Sequence, residues 1–236
     1  MKKISFLLIL SVALALPLTA QQNMLSGITL NSAVDSACYA IGINFGSGLR
    51  EQMKTFPGAG GAANMYAVAE GFIRAITGDI ESLIMDEDEA QAFFQAYIMD
   101  ATVKEAETAK EEEARFMAEN KTREGVITTE SGLQYKIVKQ GEGEKPTTTD
   151  MVNVNYTGVL LDGTVFDGSE RRGGPITIGV SDAIRGWAEL LPLLQVGSTC
   201  IAWIPAELGY GTQGAGQVIK PNMMLIFEVE LLSIEK

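Results

Sequence analysis

The chain has 236 residues, no histidine, two cysteines far apart (Cys38 and Cys200), and a formal charge of −12 from 30 acidic and 18 basic side chains. The lack of histidine removes the Ser-His-Asp and Cys-His nucleophile systems, the usual neutral-pH general base and the commonest metal ligand, and the two cysteines have no zinc-like spacing. An acidic chain argues against nucleic acid and anionic lipid as partners, and no glycine-rich phosphate-binding motif is present.

Residues 1–20 read as an export signal. Lys2 and Lys3 precede the apolar run Ile4 to Leu16, Pro17 breaks it, and Ala20 is a candidate cleavage residue. A membrane anchor is the alternative, but the run is shorter than the ~20 residues a span needs. The reading places the protein outside the cytoplasm, in the periplasm or associated with the cell envelope, with no membrane span after cleavage.

Residues 21–85 read as helical. In Val34 to Lys54, Gly42 and Gly46 stand four apart on one helix face. A helical glycine costs about 1 kcal/mol relative to alanine, so two at this spacing suggest that another backbone comes close. A helix broken at Gly46-Ser47-Gly48 is the alternative. After a glycine-rich loop beginning at Pro57, the residues Met65, Val68, Phe72, Ile73 and Ile76 recur at helical spacing, and Gly78 ends the helix.

Residues 86–125 read as one long helix. Asp86 and Glu89 form a capping-box pattern, and Gly125 is the stop. About 38 residues would span roughly 57 Å. Its first half, with Phe93, Phe94, Tyr97 and Ile98, is expected to be packed. Its charged second half is expected to be largely solvated, a spacer between two modules.

From residue 126 the period changes to two. Tyr135 and Ile137, then Val152, Val154 and Tyr156, then Leu225, Phe227, Val229 and Leu231 alternate with polar residues. Asp162-Gly163 signals a two-residue hairpin. One short helix is expected at Ala183 to Leu194. Cys200 alternates with Ala202 and Ile204, which suggests a buried free thiol, whereas Trp203 is out of phase with them and belongs on the opposite face. This is an α+β chain: an all-α N-terminal part with one long helix, then an antiparallel sheet wrapped on a short helix.

Several ordered motifs in residues 126–236 resemble the FKBP-type peptidyl-prolyl isomerase domain. They are Val154-Asn155-Tyr156-Thr157-Gly158, Asp162-Gly163-Thr164-Val165-Phe166-Asp167, Ile184-Arg185-Gly186-Trp187, Val196-Gly197 and Ile204-Pro205-Ala206-Glu207-Leu208-Gly209-Tyr210-Gly211. Tyr39 to Gly42, Gly46, Leu49, and the stretches Glu124 to Val126 and Ser131 to Tyr135 resemble the homodimerisation arm of exported bacterial members of the macrophage-infectivity-potentiator type. The resemblance implies an export signal at 1–20, a helical dimerisation domain at 21–85, a connecting helix at 86–125 and an isomerase domain at 126–236. The homodimer would form through residues 21–98.

The same resemblance implies a pocket floored by Trp187. Asp167, Tyr210, Tyr156 and Phe227 would carry catalysis. Phe166, Ile176, Ala183, Ile184, Val218 and Ile219 would bind substrate, and the Ile184 N–H would receive a substrate carbonyl. Taken singly, each aromatic reads first as core packing, with Trp187, which follows a glycine at a loop-to-helix entry, as the exception. Ile176 stands where many members carry an aromatic, and Ala183 replaces a larger branched residue, so the pocket is expected to be slightly wide. The implied substrates are unfolded or proline-containing proteins, with no cofactor and no metal, and a macrolide-type inhibitor would enter the same pocket. Chaperone activity is implied too, and the competing reading is a non-catalytic client-binding chaperone with a vestigial pocket. Asp167 also reads as a turn residue that Arg172 could pair with.

Overall fold

The computed structural model describes residues 28–58 and 63–235; the expected export signal at 1–20 lies outside them. The described residues divide into two compact units between Thr55 and Phe56.

In the first unit, helix α1 spans Ala33–Met53. Its N-cap Ser32 accepts the Asp35 N–H through Oγ at 3.0 Å, which satisfies one of the amides a helix start leaves open. The helix runs unbroken through Gly46-Ser47-Gly48, so the broken-helix alternative does not hold. None of its residues is buried. A Cβ at Gly42 or Gly46 would meet nothing within 4 Å.

The second unit begins with α2 (Met65–Thr77), capped by Asn64 and ended by Gly78 at φ 74°. Helix α3 (Glu87–Asn120) starts with the expected capping box, in which Asp86 and Glu89 each bond the other's backbone N–H. Its 34 residues span about 51 Å. The helix stops at Asn120, earlier than expected, because that side chain is fully buried and donates to Gln134 Oε1 at 2.8 Å. Hydrogen-bonded turns then carry the chain to Gly125.

Along α3 the first half is less packed than expected, while the charged second half is mostly exposed. Phe93 and Phe94 are 65% and 54% exposed; Phe56 approaches Phe94 and stacks on Tyr97, whose hydroxyl donates to the Pro57 carbonyl. The buried Ala101 lies near the end of the first half, and the charged second half ends in the buried Asn120 and bonds to the sheet. Gln134 Nε2 donates to the Met117 carbonyl at 2.9 Å. The Ala206 N–H donates to Glu113 at 2.7 Å.

The sheet contains β1 (Ile127–Thr128), β2 (Gln134–Lys139), β3 (Met151–Val159), β4 (Val165–Gly168), β5 (Ile176–Gly179), β6 (Thr199–Ile204) and β7 (Leu225–Glu235). It is antiparallel in the order β1-β2-β6-β7-β3-β4, with β5 also on β3. The β3–β4 connection is a three-residue loop rather than the expected two. The Leu160 N–H donates to the Thr164 carbonyl and the Gly163 N–H to the Leu160 carbonyl. Gly163, at φ 86°, takes the left-handed position that follows a type I turn.

The period-two residues face one core. Val152 and Val154 of β3, Cys200, Ala202 and Ile204 of β6, and Leu225, Val229 and Leu231 of β7 are fully buried there. Against them packs α4 (Arg185–Leu190) with Trp187 and Leu190, followed by a 3₁₀ turn at Leu191–Leu193. The α-helix is shorter than expected at both ends: Ala183 and Ile184 are extended, and the Pro192 ring cannot continue an α-helical ladder. Each large apolar side chain buried here contributes about 1.5–3 kcal/mol. Cys200 is a buried free thiol, and burial, helped by Glu228, pushes its pKa up to about 12.

Trp203 stands on the other face, directly opposite Gln134 in the sheet register. It is buried but outside the core cluster, since the end of α3 lies over Gln134. Among the described residues no helix is long and apolar enough to cross a membrane.

Candidate functional site

Between the sheet and α4 opens a cavity of about 230 Å³ lined by Tyr156, Asp167, Arg172, Ile176, Ile178, Asp182, Ala183, Ile184, Trp187, Tyr210 and Phe227. Tyr156 comes from β3, Asp167 from β4, Ile176 and Ile178 from β5, and Phe227 from β7. Trp187 comes from α4, and Tyr210 follows the 3₁₀ turn Ala206–Leu208.

Two glycines make room for this assembly. A Cβ at Gly186 would sit 2.5 Å from Ile204 Cγ2, so only glycine lets α4 come down onto β6 and place Trp187 at the base. A Cβ at Gly158 would sit 2.6 Å from Phe166 Cζ and 2.8 Å from Phe227 Cε1, so glycine there leaves space for two rings.

The rings meet mostly edge to face. Trp187 lies 5.1 Å from Tyr156 at 88° and 5.2 Å from Phe227 at 75°. Phe166 lies 5.4 Å from Phe227 at 87°. Such pairs add about 0.5–1.5 kcal/mol each beyond burial. Trp187 is 4% exposed, and its indole N–H has no hydrogen-bond partner among the described residues.

The polar side of the cavity is one closed cluster. Asp167 Oδ2 accepts from the Tyr156 hydroxyl at 2.7 Å and from Arg172 Nη2 at 2.7 Å. Its Oδ1 accepts from Arg172 Nε at 3.2 Å and from the Gly168 N–H at 2.8 Å. Burial alone would raise the Asp167 pKa, but the bonds from Arg172, Tyr156 and Gly168 outweigh it and hold the carboxyl below its ordinary value. Burial, with the bond to Asp167, pushes the Tyr156 phenol up to about 12. Asp167 is therefore ionised and saturated with donors at neutral pH, an electrostatic anchor with no spare lone pair aimed at a proton to abstract.

Of the residues singled out from sequence, Asp167, Tyr210, Tyr156, Phe227, Ile176, Ala183, Ile184 and Trp187 line this cavity. Phe166 stands behind it, packed on Phe227. Ile219 is buried in the core, bridged to Ala215. Val218 is 46% exposed on its loop. Ile178 and Asp182 line the cavity without having been singled out. Ile178 lies two residues beyond Ile176 and so shares its face; Asp182 adjoins Ala183. Among the described residues no group of three or more Cys, Asp or Glu side chains could hold a metal ion. The Ile184 N–H has no intramolecular acceptor among them either.

Residues 142–232 match the model of the FKBP-type peptidyl-prolyl cis-trans isomerase family, and residues 34–137 match that of the domain amino terminal to FKBP-type isomerases. A relative from Neisseria meningitidis serogroup B, named a probable FKBP-type peptidyl-prolyl cis-trans isomerase FkpA, is 40% identical over 86% of this chain and 75% of its own. The outer membrane protein MIP of Legionella longbeachae is 34% identical over 97% of each chain. The crystal structure of FkpA from Escherichia coli is similar with a TM-score of 0.65 and 28% identity, covering 88% of this chain and 99% of that one. With its two family matches and its aromatic cavity, the chain belongs to the FKBP-type peptidyl-prolyl cis-trans isomerases.

Proposed function

We propose that the aromatic cavity is where this isomerase turns X-Pro bonds, with the proline ring on Trp187 between Tyr156 and Phe227. The observation that carries this is the box of edge-to-face rings closed on its polar side by a saturated Asp167. Rotation about an X-Pro bond must break amide resonance, over a barrier of ~18–20 kcal/mol. The planar amide is more charge-separated than the twisted one and loses more on entering an apolar cavity, so the cavity favours the transition state. Each ~1.4 kcal/mol of that difference is a factor of ten in rate. The free Ile184 N–H receives the substrate carbonyl and fixes its orientation. Tyr210 and Asp167 line the same cavity. No nucleophile or proton carrier is needed.

The test is a proline-limited refolding assay and a short proline peptide followed side by side. Asp167→Ala and Tyr210→Phe are expected to lower kcat/KM for both by about tenfold. Unchanged rates in both variants would move the reaction elsewhere.

The wider assignment is an exported, envelope-located homodimer that combines isomerisation with chaperone activity on unfolded clients. Tyr39, Gly42, Ile43 and Gly46 recur at helical spacing on α1, which buries none of its residues, and a second copy's helix is the partner that would cover this stripe. Two catalytic modules on helical arms would hold one client at two points and raise effective concentration. In this assignment 1–20 is the export signal, 21–85 the dimerisation domain, 86–125 the connecting helix and 126–236 the catalytic domain.

A further inference from the structure

Strand β6 ends at Ile204, and Pro205 turns the chain into the 3₁₀ turn Ala206–Leu208, which leads through Gly209 to Tyr210 on the cavity lining. Nothing in that turn caps its own start: Pro205 offers no side-chain hydrogen bond. The acceptor comes from far away in the chain. Glu113 on α3 takes the Ala206 N–H at 2.7 Å. Arg185 adds a longer bond to the Glu207 carbonyl, at 3.4 Å.

The same excursion is tied down again at its far end. The Asn222 N–H donates to the Gly211 carbonyl at 2.9 Å, which closes residues 211–222 into a loop. Asn222 adopts φ 60°, the only positive φ among the described non-glycine residues, a conformation that costs most side chains about 1 kcal/mol or more. In that conformation its Nδ2 donates to the Ala106 carbonyl of α3 at 3.2 Å. Ala106 and Glu113 are seven residues apart, two turns along one face of the helix. Neither Glu113 nor Asn222 lines the cavity.

We propose that Glu113 and Asn222 are positioning residues for the isomerase reaction, clamping both ends of the segment that carries Tyr210 onto α3 and so setting the far wall of the proline cavity. The rear half of the long helix is thereby a working part of the catalytic module. This rests on Tyr210 being a wall of the substrate site.

Burial lifts the Glu113 carboxyl above its ordinary pKa; the Ala206 N–H pulls it back in part, while Glu207 raises it and Lys110 lowers it by less. A neutral acceptor of the same shape would keep the hydrogen bond and avoid the cost of burying charge. Glutamine is therefore the informative conservative replacement. At position 222 glycine is the informative one, because it accepts the positive φ and removes only the side-chain tie.

The experiment measures kcat and KM separately for a short proline peptide on the full-length protein carrying Glu113→Ala, Glu113→Gln, Asn222→Gly or Tyr210→Ala. Hydrogen exchange at the amides of residues 206–211 is followed in parallel. Glu113→Ala is expected to raise KM about three- to tenfold with kcat within about twofold, since a mobile wall weakens ground state and transition state alike. Exchange at Ala206 to Gly211 should quicken. Glu113→Gln should restore both readouts, and Asn222→Gly should raise KM in the same direction by less. Unaltered kinetics and exchange in Asn222→Gly and Glu113→Ala, beside a clear loss in Tyr210→Ala, would overturn the clamp and leave the cavity assignment standing. Full activity in Tyr210→Ala would remove the cavity wall itself. If Glu113→Ala fails to fold, Glu113→Gln with wild-type constants and Asn222→Gly with a raised KM still support the clamp, and a normal KM in Asn222→Gly overturns it.

Discussion

Helix α1 and the sheet around α4 draw on similar apolar residues and dispose of them in opposite ways. Val34, Tyr39, Ile41 and Ile43 of α1 are all exposed, whereas Val152, Val154, Val229 and Leu231 of the sheet are fully buried. Water penalises exposed apolar surface at about 25 cal/mol per Å², and the proposed homodimer would cover the exposed apolar side chains of α1. The sheet module completes its core from its own chain. One region carries stability within the monomer; in the homodimer proposed above, the other would hold its apolar surface for association.

The largest effect is expected in the sheet. Leu190 is fully buried in the core, and Leu190→Ala is expected to cost about 2–5 kcal/mol of unfolding free energy through lost transfer energy and a residual cavity. Urea unfolding of the full chain reads this directly, and a loss below about 1 kcal/mol would mean the core around α4 collapses or is hydrated. In α1 the same logic predicts a different observable. Ile43→Asp should leave the unfolding of the sheet module within about 0.5 kcal/mol and weaken self-association at least about tenfold, by placing a charge where an apolar contact is expected. Sedimentation equilibrium of wild type and variant tests it; a wild-type chain that is monomeric at all concentrations would sink the dimer.

What can be read from the sequence follows the strength of local period. The two tryptophans are distinguishable by local pattern alone, because Trp203 breaks phase with Cys200, Ala202 and Ile204 whereas Trp187 follows a glycine at a helix entry. The capping box at Asp86 and Glu89 is legible because its two bonds lie within four residues. The docking of α3 is not. Glu113 and Asn120 sit in a run of charges whose bland meaning is a solvated face, and their partners, Ala206 and Gln134, lie 93 and 14 residues away. A polar residue buried by a long-range bond leaves no periodic trace. Nor does Asp182, which reaches the cavity from the end of the 3₁₀ turn Val180–Asp182. The early end of α3 has the same origin, since only the buried amide of Asn120 says where the helix meets the sheet.

The smallest expected effect lies in the dependence of activity on pH, and there the comparison shifts from apolar burial to the polar wall. The folded state holds Asp167 below its ordinary 3.8. Its contribution to stability is therefore complete above that value and is lost as the pH falls through the lowered one. Tyr156 is displaced the other way, from an ordinary 10.0 to about 12. Its neutral phenol supports the fold fully below 10.0 and ceases to do so as the pH rises through about 12. Between these limits neither group changes charge, and bond rotation transfers no proton. A peptide isomerisation assay should therefore give kcat/KM flat to within about twofold from about pH 5 to about pH 9. A bell or a single step inside that window would mean that a titrating acid or base takes part in the rate-limiting step, which bond rotation in an apolar cavity does not require.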